Sequence, residues 1–259
     1  MDKLSLVREF WDETPCDGQP TYALRSQLRY QKEPWLLPLI DRIANTYPSV
    51  LEVGCGQGTD GVTLCERMPA GGRYVGVDMS EVSLARARSA AVEIRERLQV
   101  TPHFGFENAE QLSFADNSFP CILSVGALHH SENTERAIAE IRRVLAPGGT
   151  AFILLYRTIA PKVFTAHVLR AVQRSLDTVL RSDRILYRAL RAVRREEGAG
   201  TAVYECFGVP ILRSYTRASM CALFRDFSSL TLTAHGSGRS LARLGNDPLG
   251  YLWLAEATK

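Results

Sequence analysis

Val50-Leu51-Glu52-Val53-Gly54-Cys55-Gly56-Gln57-Gly58-Thr59-Asp60-Gly61 is an apolar run that breaks into glycines and then resumes with helix-forming spacing. Such a stretch reads as a strand, a tight turn and the start of a helix, with a turn bare of side chains where a ligand can lie against backbone amides. Gly56, Gly58 and Gly61 have the GxGxxG spacing, and Asp78 stands twenty residues after Gly58, where a ribose-binding acid belongs. On spacing alone, a dinucleotide site and other nucleoside sites remain equally open.

Outward from this stretch the pattern repeats. Short apolar runs occur at Val50 to Val53, Tyr74 to Val77, Ile122 to Val125 and Ala151 to Leu155, with a weaker one at His103 to Phe106. Helical periods fall between them, at Thr59 to Arg67, Glu81 to Leu98 and Thr134 to Leu145, and Pro147-Gly148-Gly149 reads as a helix stop leading into a turn. Strands alternating with helices predict an α/β fold, a parallel sheet covered on both faces with ligands at the carboxyl ends of its strands. A helix over Leu4 to Trp11 and another over Pro34 to Asn45 precede this core, joined by a polar stretch containing Pro15, Gly18 and Pro20. A late helix at Arg217 to Phe224 and strands at Leu230 to Ala234 and Tyr251 to Ala257 follow it.

The 259 residues and 46% hydrophobic content suit a globular chain with an ordinary core. A net charge of +3 does not by itself imply nucleic-acid binding, but its distribution is uneven. Residues 1–156 hold 15 Lys/Arg against 20 Asp/Glu, and residues 157–259 hold 16 against 8. From Arg157 to Arg195 there are ten basic residues and two acidic ones. On a helical wheel Val168, Val172, Leu176, Val179, Leu186, Leu190 and Val193 fall on one side, and Arg170, Arg174, Arg181, Arg184, Arg188, Arg191 and Arg195 on the other, with Gly198 and Gly200 as the stop. This basic amphipathic stretch admits three readings: a lid whose apolar side packs over a pocket with its arginines in water, a subunit interface, or a helix on an anionic membrane surface. Few aromatics interleave with the arginines, so nucleic acid is not an expected partner. The six cysteines are scattered without a CxxC pair, so no metal is expected. Charges throughout the first thirteen residues argue against a secretory signal, and a cytoplasmic location is expected.

Four more motifs stand in order with the glycine loop: VGVDMS at 75–80, NAEQLSF at 108–114, LHH at 128–130 and LAPGG at 145–149. Together they closely resemble the class I S-adenosylmethionine-dependent methyltransferases, in particular the small-molecule branch with a ubiquinone-methyltransferase-like core, over roughly residues 48–156. The resemblance implies a Rossmann-like, seven-stranded, mostly parallel sheet in the order 3-2-1-4-5-7-6 with the last strand antiparallel. A single domain is then expected, with an N-terminal cap (1–47), a cofactor-binding core (48–156), a basic helical insertion or lid (157–215) and a C-terminal helix with two strands (216–259). It also implies S-adenosyl-L-methionine as cofactor. Gly54, Gly56 and Gly58 would line its methionine part, Asp78 would hold the ribose hydroxyls, and Met79 would pack on the adenine. Asn108 and Ala109 would meet the ring edge, and Glu52 and Gly126 would complete the cofactor site.

Methyl transfer needs an in-line acceptor at close range more than it needs acid or base groups. A base matters only for an acceptor protonated at neutral pH, and the resemblance places His129 and His130 facing the active site, His130 first. Trp11, Tyr22, Arg25, Tyr30 and Trp35 are the candidates for substrate contact. The expected activity is methylation of oxygen or nitrogen in a small organic molecule by a monomer or homodimer. The alternatives are a membrane-associated quinone or lipid methyltransferase, a catalytically idle S-adenosylmethionine-binding regulatory partner, and last a dinucleotide oxidoreductase. Each candidate also has a plainer role: Asp78 as a helix cap, Met79 as core, the histidines as pocket wall.

Overall fold

The computed structural model describes residues 3–13, 18–181, 186, 188, 207–236 and 247–259. Seven strands form one sheet in the order β3-β2-β1-β4-β5-β7-β6, as expected. The opening run forms the inner strand β1 (Ser49–Val53), whose last four residues are fully buried, which explains why they are apolar apart from Glu52. It pairs in parallel with β2 (Arg73–Asp78) and β4 (Phe119–Val125). β3 (His103–Phe106) adds to β2, and β5 (Leu145–Tyr156) to β4, also in parallel. β7 (Leu252–Thr258) runs antiparallel between β5 and β6 (Ser229–His235).

Helices cover both faces, as a parallel sheet requires. α3 (Leu36–Thr46) and the first half of α7 (Pro161–Leu180) pack on one face through Leu36, Ile40, Ile43, Val163 and Ala166. α6 (Thr134–Val144) and α8 (Arg217–Leu223) pack on the other through Ala137, Ile141 and Met220. α4 (Thr59–Arg67) follows the glycine loop, α5 (Glu81–Glu93) follows β2, and α1 (Lys3–Glu13) touches α5.

Four local expectations are corrected. The polar stretch between the first two expected helices contains α2 (Tyr22–Lys32), started by the Thr21 side chain, which accepts a hydrogen bond from the Leu24 N–H. Its inward residues are polar (Tyr22, Arg25, Arg29, Tyr30), so a search for apolar periodicity passes over it. The helix after β2 stops at Glu93, and a single 3₁₀ turn covers Arg95–Arg97. Pro147-Gly148-Gly149 lies inside β5 as a bulge opposite Phe119 to Cys121, held by the C-terminal residue: the Lys259 N–H donates to the Gly149 carbonyl and the Gly148 N–H to the Lys259 carbonyl, both at 3.1 Å.

The fourth concerns the basic helix. Val168, Val172 and Val179 face solvent, 45%, 44% and 77% exposed, while Leu176 is half-buried and Leu186 packs beside Phe10, Phe207 and Val209 as the expected apolar side would. The inward face of α7 instead carries Val163, Ala166 and Gln173, with Leu169 packed beside Phe10, Phe207 and Val209. Arg170 turns inward too, and its guanidinium donates to the carbonyls of Phe207, Val209 and Pro210 at 3.2, 2.6 and 2.9 Å. Three backbone carbonyls outweigh the apolar stripe in choosing the buried side, because buried carbonyls left without donors are costly. Arg184, Leu190, Arg191, Val193, Arg195, Gly198 and Gly200 lie outside the described residues.

Candidate active site

At the carboxyl ends of β1, β2 and β4 a single pocket runs from the glycine loop to the turn after β4. The loop is tied to its neighbour strand: the Gly54 and Cys55 N–H groups donate to the Val77 carbonyl at 2.7 and 3.0 Å. Its glycines divide by role. A Cβ on Gly54 would sit 2.1 Å from the Ala127 side chain and one on Gly58 2.7 Å from Ala87, so these two permit close packing. Gly61, inside α4, brings the helix against β1 and β2, where a Cβ would lie 1.9 Å from the Tyr74 hydroxyl. Gly56, left-handed at φ 51° like Gly54 and Gly58, differs in that nothing lies within 4 Å of where its Cβ would be. Its open side faces the pocket it lines.

Asp78 stands at the tip of β2 beside Gly56. One carboxylate oxygen accepts the Gly56 N–H at 2.8 Å and the other the Ser80 N–H at 2.9 Å. The N-cap of α5 is Ser80, whose hydroxyl accepts from the Ser83 N–H, so Asp78 is not the cap. Burial raises the Asp78 pKa, opposed by these backbone donors, and Asp12 of α1 adds to the rise. Each carboxylate oxygen keeps a further lone pair, the acceptor pattern a ribose diol needs. Met79 is half-buried and lines the pocket rather than the core, as does Asn108, while Ala109 lines the pocket and also packs on the core cluster around Val53 and Val77. The Asn108 side-chain oxygen already accepts the Glu110 N–H at 2.9 Å. Open backbone at Gly56, a twofold acceptor at Asp78 and the thioether of Met79 fit an adenosyl-methionine ligand.

The floor holds Glu52, which the sequence reading assigned, together with Asp60 and Arg29, which it did not. Glu52 is fully buried under the loop and accepts the Tyr74 hydroxyl; burial, with the Asp60 charge, pushes its pKa up to about 8. Asp60, in the first turn of α4 and only 4% exposed, takes a two-pronged bond from Arg29 of α2, with Nε to Oδ1 at 2.7 Å and Nη2 to Oδ2. The Tyr30 hydroxyl also reaches Asp60, at 3.1 Å, and Thr63, at 2.8 Å. Both Arg29 and Asp60 line the pocket. An Asp in a helix's first turn ordinarily reads as a dipole partner, which is why Asp60 drew no attention. Arg29 sits on a helix whose inward face has no apolar signature.

The acceptor end is built by α1 and by the 3₁₀ turn Leu128–His130. Leu4, Val7 and Trp11 roof the pocket, and the α1 residue Asp12 accepts the Ser80 hydroxyl. The Trp11 ring lies 5.3 Å from that of His130. His130 Nδ1 is 2.8 Å from the Ile211 carbonyl, which can only accept, so Nδ1 carries the proton. Burial, with Arg170 and Lys162 nearby, pushes its pKa down to about 4, leaving a neutral ring with its lone pair on Nε2. Gly126 and Ser131 complete this wall.

Of the residues expected at the site, Glu52, Gly54, Gly56, Asp78, Met79, Asn108, Ala109, Gly126, His130 and Trp11 line the pocket together. Gly58, His129, Tyr22, Arg25, Tyr30 and Trp35 do not. His129 lies behind His130, fully buried and stacked on Tyr156 at 3.8 Å, and neither ring nitrogen has a hydrogen-bond partner among the described residues. Burial pushes its pKa well below the usual histidine value. Tyr22 bonds Thr63 at 2.8 Å, Arg25 donates to the Gln19 carbonyl at 3.1 Å, and Trp35 stacks on His235 at 4.4 Å. No cluster of metal-ligating side chains occurs among the described residues.

Comparison with known proteins agrees with this geometry. Residues 50–149 match the methyltransferase domain family. The chain resembles the phthiotriol/phenolphthiotriol dimycocerosates methyltransferase 1 of Mycobacterium ulcerans, 35% identical over 114 residues, which is 43% of this chain and 38% of that protein. It resembles the demethylmenaquinone methyltransferase of Symbiobacterium thermophilum at 33% over 102 residues, 39% of each. The chain thus spans about two fifths of the length of these curated relatives. In fold it is similar to the Synechocystis magnesium protoporphyrin IX methyltransferase solved with bound SAH (TM-score 0.58, 14% identity, 99% of both chains covered). It is also similar to a Thermotoga maritima S-adenosylmethionine-dependent methyltransferase (0.58, 16%, 98% and 99%). Residues 50–149 thus resemble a methyltransferase domain, and the fold is the one these solved methyltransferases share.

Proposed function

We propose that the protein transfers a methyl group from S-adenosylmethionine to an oxygen or nitrogen of a small organic molecule, with His130 as the residue that receives the acceptor's proton. The observation that carries this reading is the continuity of one pocket from Asp78 and Gly56 to a neutral His130 roofed by Trp11. When bound, the cofactor supplies a methyl group on a sulfonium that needs no further activation.

The chain's own residues divide the remaining work. Asp78, Met79 and the open face of Gly56 bind the adenosyl part, Asn108 and Ala109 its ring edge. Arg29, Glu52 and Asp60 stand where the amino-acid end would lie. Asp60 and Asp78 belong to the α4 and β2 side of the pocket, which suits a cationic cofactor, while burial keeps Glu52 between them largely protonated at neutral pH. At the other end Leu4, Val7, Trp11 and Leu128 exclude water and offer an uncharged surface. An acceptor with an apolar body and a hydroxyl or neutral amine suits it better than a free carboxylate or phosphate. A base held near pKa 4 is matched to an acidic hydroxyl, a phenol or enol, better than to an alkanol.

The test is incubation with S-adenosylmethionine labelled in its methyl group and a metabolite extract, with mass spectrometric identification of the labelled product. His130→Gln is expected to lower turnover by about a hundredfold or more, the usual contribution of a general base, at unchanged affinity for S-adenosylhomocysteine. Labelling that proceeds at the wild-type rate removes His130 from the chemistry.

A further inference from the structure

The Ile211 carbonyl that receives the His130 proton lies in residues 211–214, which form neither helix nor strand. No ladder or helical turn fixes such a carbonyl, so its direction depends on what grips the chain on either side. Just before it, Arg170 reaches across from α7. One guanidinium nitrogen donates to the carbonyls of Phe207 and Val209 at 3.2 and 2.6 Å, and the other to that of Pro210 at 2.9 Å. Only the two dihedral angles of Ile211 separate the Pro210 carbonyl from the one that meets His130. Just after it, the Arg213 N–H donates to the His129 carbonyl at 3.0 Å. α7 is itself anchored on the sheet through Val163 and Ala166, so the guanidinium works from a fixed base.

The direction of that carbonyl decides what His130 can do. A neutral imidazole left to itself favours its proton on Nε2, and a ring in that state would present a donor to the acceptor molecule and could take no proton from it. A carbonyl at Nδ1 reverses the preference, since the bond made by one ring nitrogen sets the state of the other. Nε2 is then bare on a ring that lines the pocket. Arg170 does not line that pocket, so its influence on the chemistry would pass through the chain it holds.

We propose that Arg170 is a positioning residue for His130: by holding the Phe207, Val209 and Pro210 carbonyls it places the Ile211 carbonyl that keeps the His130 proton on Nδ1 and Nε2 free. The inference rests on the reading of His130 as the proton acceptor. The test is nitrogen NMR of the full chain carrying isotope-labelled histidine, with the His130 signals assigned by their loss in His130→Gln. Protonated and bare ring nitrogens resonate far apart, so the spectrum reads the tautomer directly. The wild type is expected to show Nδ1 protonated and Nε2 bare. Arg170→Gln should move most of the proton to Nε2 and slow labelled methyl transfer into the metabolite extract by about tenfold or more, with affinity for S-adenosylhomocysteine unchanged. Arg170→Lys keeps the positive charge but loses the planar fork, and should restore neither tautomer nor rate; it also carries the test where the Gln variant does not fold. An arginine that merely stabilised the fold would lower the melting temperature and leave the tautomer of the folded molecule as it was. Nε2 protonated in the wild type, or Nδ1 still protonated in the variants, overturns the proposal; the second result would mean that the Arg213 N–H holds the segment unaided. A moved proton at an unchanged rate refutes the base reading instead, and leaves the placement of the proton by Arg170 standing.

Discussion

Arg29 and Asp60 allow a worked test of how the pocket floor is held. The contact is two-pronged, with Nε to Oδ1 at 2.7 Å, and the two side chains keep only 18% and 5% of their exposure. With charge centres about 4 Å apart and an effective dielectric near 20, the attraction is about 4 kcal/mol, part of which is offset by removing both ions from water. Replacing Arg29 by Met leaves the buried Asp60 carboxylate near Glu52 with only the Tyr30 hydroxyl from α2, and should cost about 3 kcal/mol, as loss of one member of a buried pair does. Asp60→Asn, which leaves the more exposed arginine alone and keeps an oxygen for Tyr30, should cost about 2 kcal/mol. The double variant removes both charges and should cost no more than either single one, a coupling of about 3 kcal/mol or more. Urea unfolding of the four proteins measures this directly. Single costs that add to the double cost within about 0.5 kcal/mol would refute the view that the two ions act as one unit.

Gly61→Ala should destabilise the protein by about 1 to 3 kcal/mol despite the better helix propensity of alanine, since its methyl group meets the Tyr74 hydroxyl and Glu52; thermal melting checks it, and a stabilised variant would contradict the packing role. The rate of methyl transfer should stay level as pH falls from 8 to 6 and decline toward 4, because His130 remains neutral until its lowered pKa is reached, whereas a histidine at its ordinary value of about 6.5 would lose activity near that pH.

The sheet was readable because its central strands are buried on both faces and therefore appear as unbroken apolar runs, and the cofactor half because glycines and Asp78 must stand at fixed places along one strand-turn-helix. Reading failed wherever a helix turned a polar side inward. α2 buries Tyr22, Arg25, Arg29 and Tyr30 against Thr63, Asp60 and nearby carbonyls, so its partner for Asp60 could not be found from periodicity. α7 shows the same effect reversed: a wheel separates Val168 from Arg170, but which of them faces the protein depends on carbonyls near residues 207–210, forty residues away in the chain. Trp11 was found as an aromatic near the start, yet only the packing of α1 over the pocket distinguishes it from Tyr22 and Trp35.

The most direct measurement is calorimetric titration of S-adenosylhomocysteine into the wild-type protein and into Asp78→Ala. Binding at one site per chain, weakened at least tenfold in the variant, a loss of about 1.4 kcal/mol or more, is the expected result. No heat of binding in the wild type, or the same affinity in both proteins, would contradict the assignment of this pocket to the cofactor.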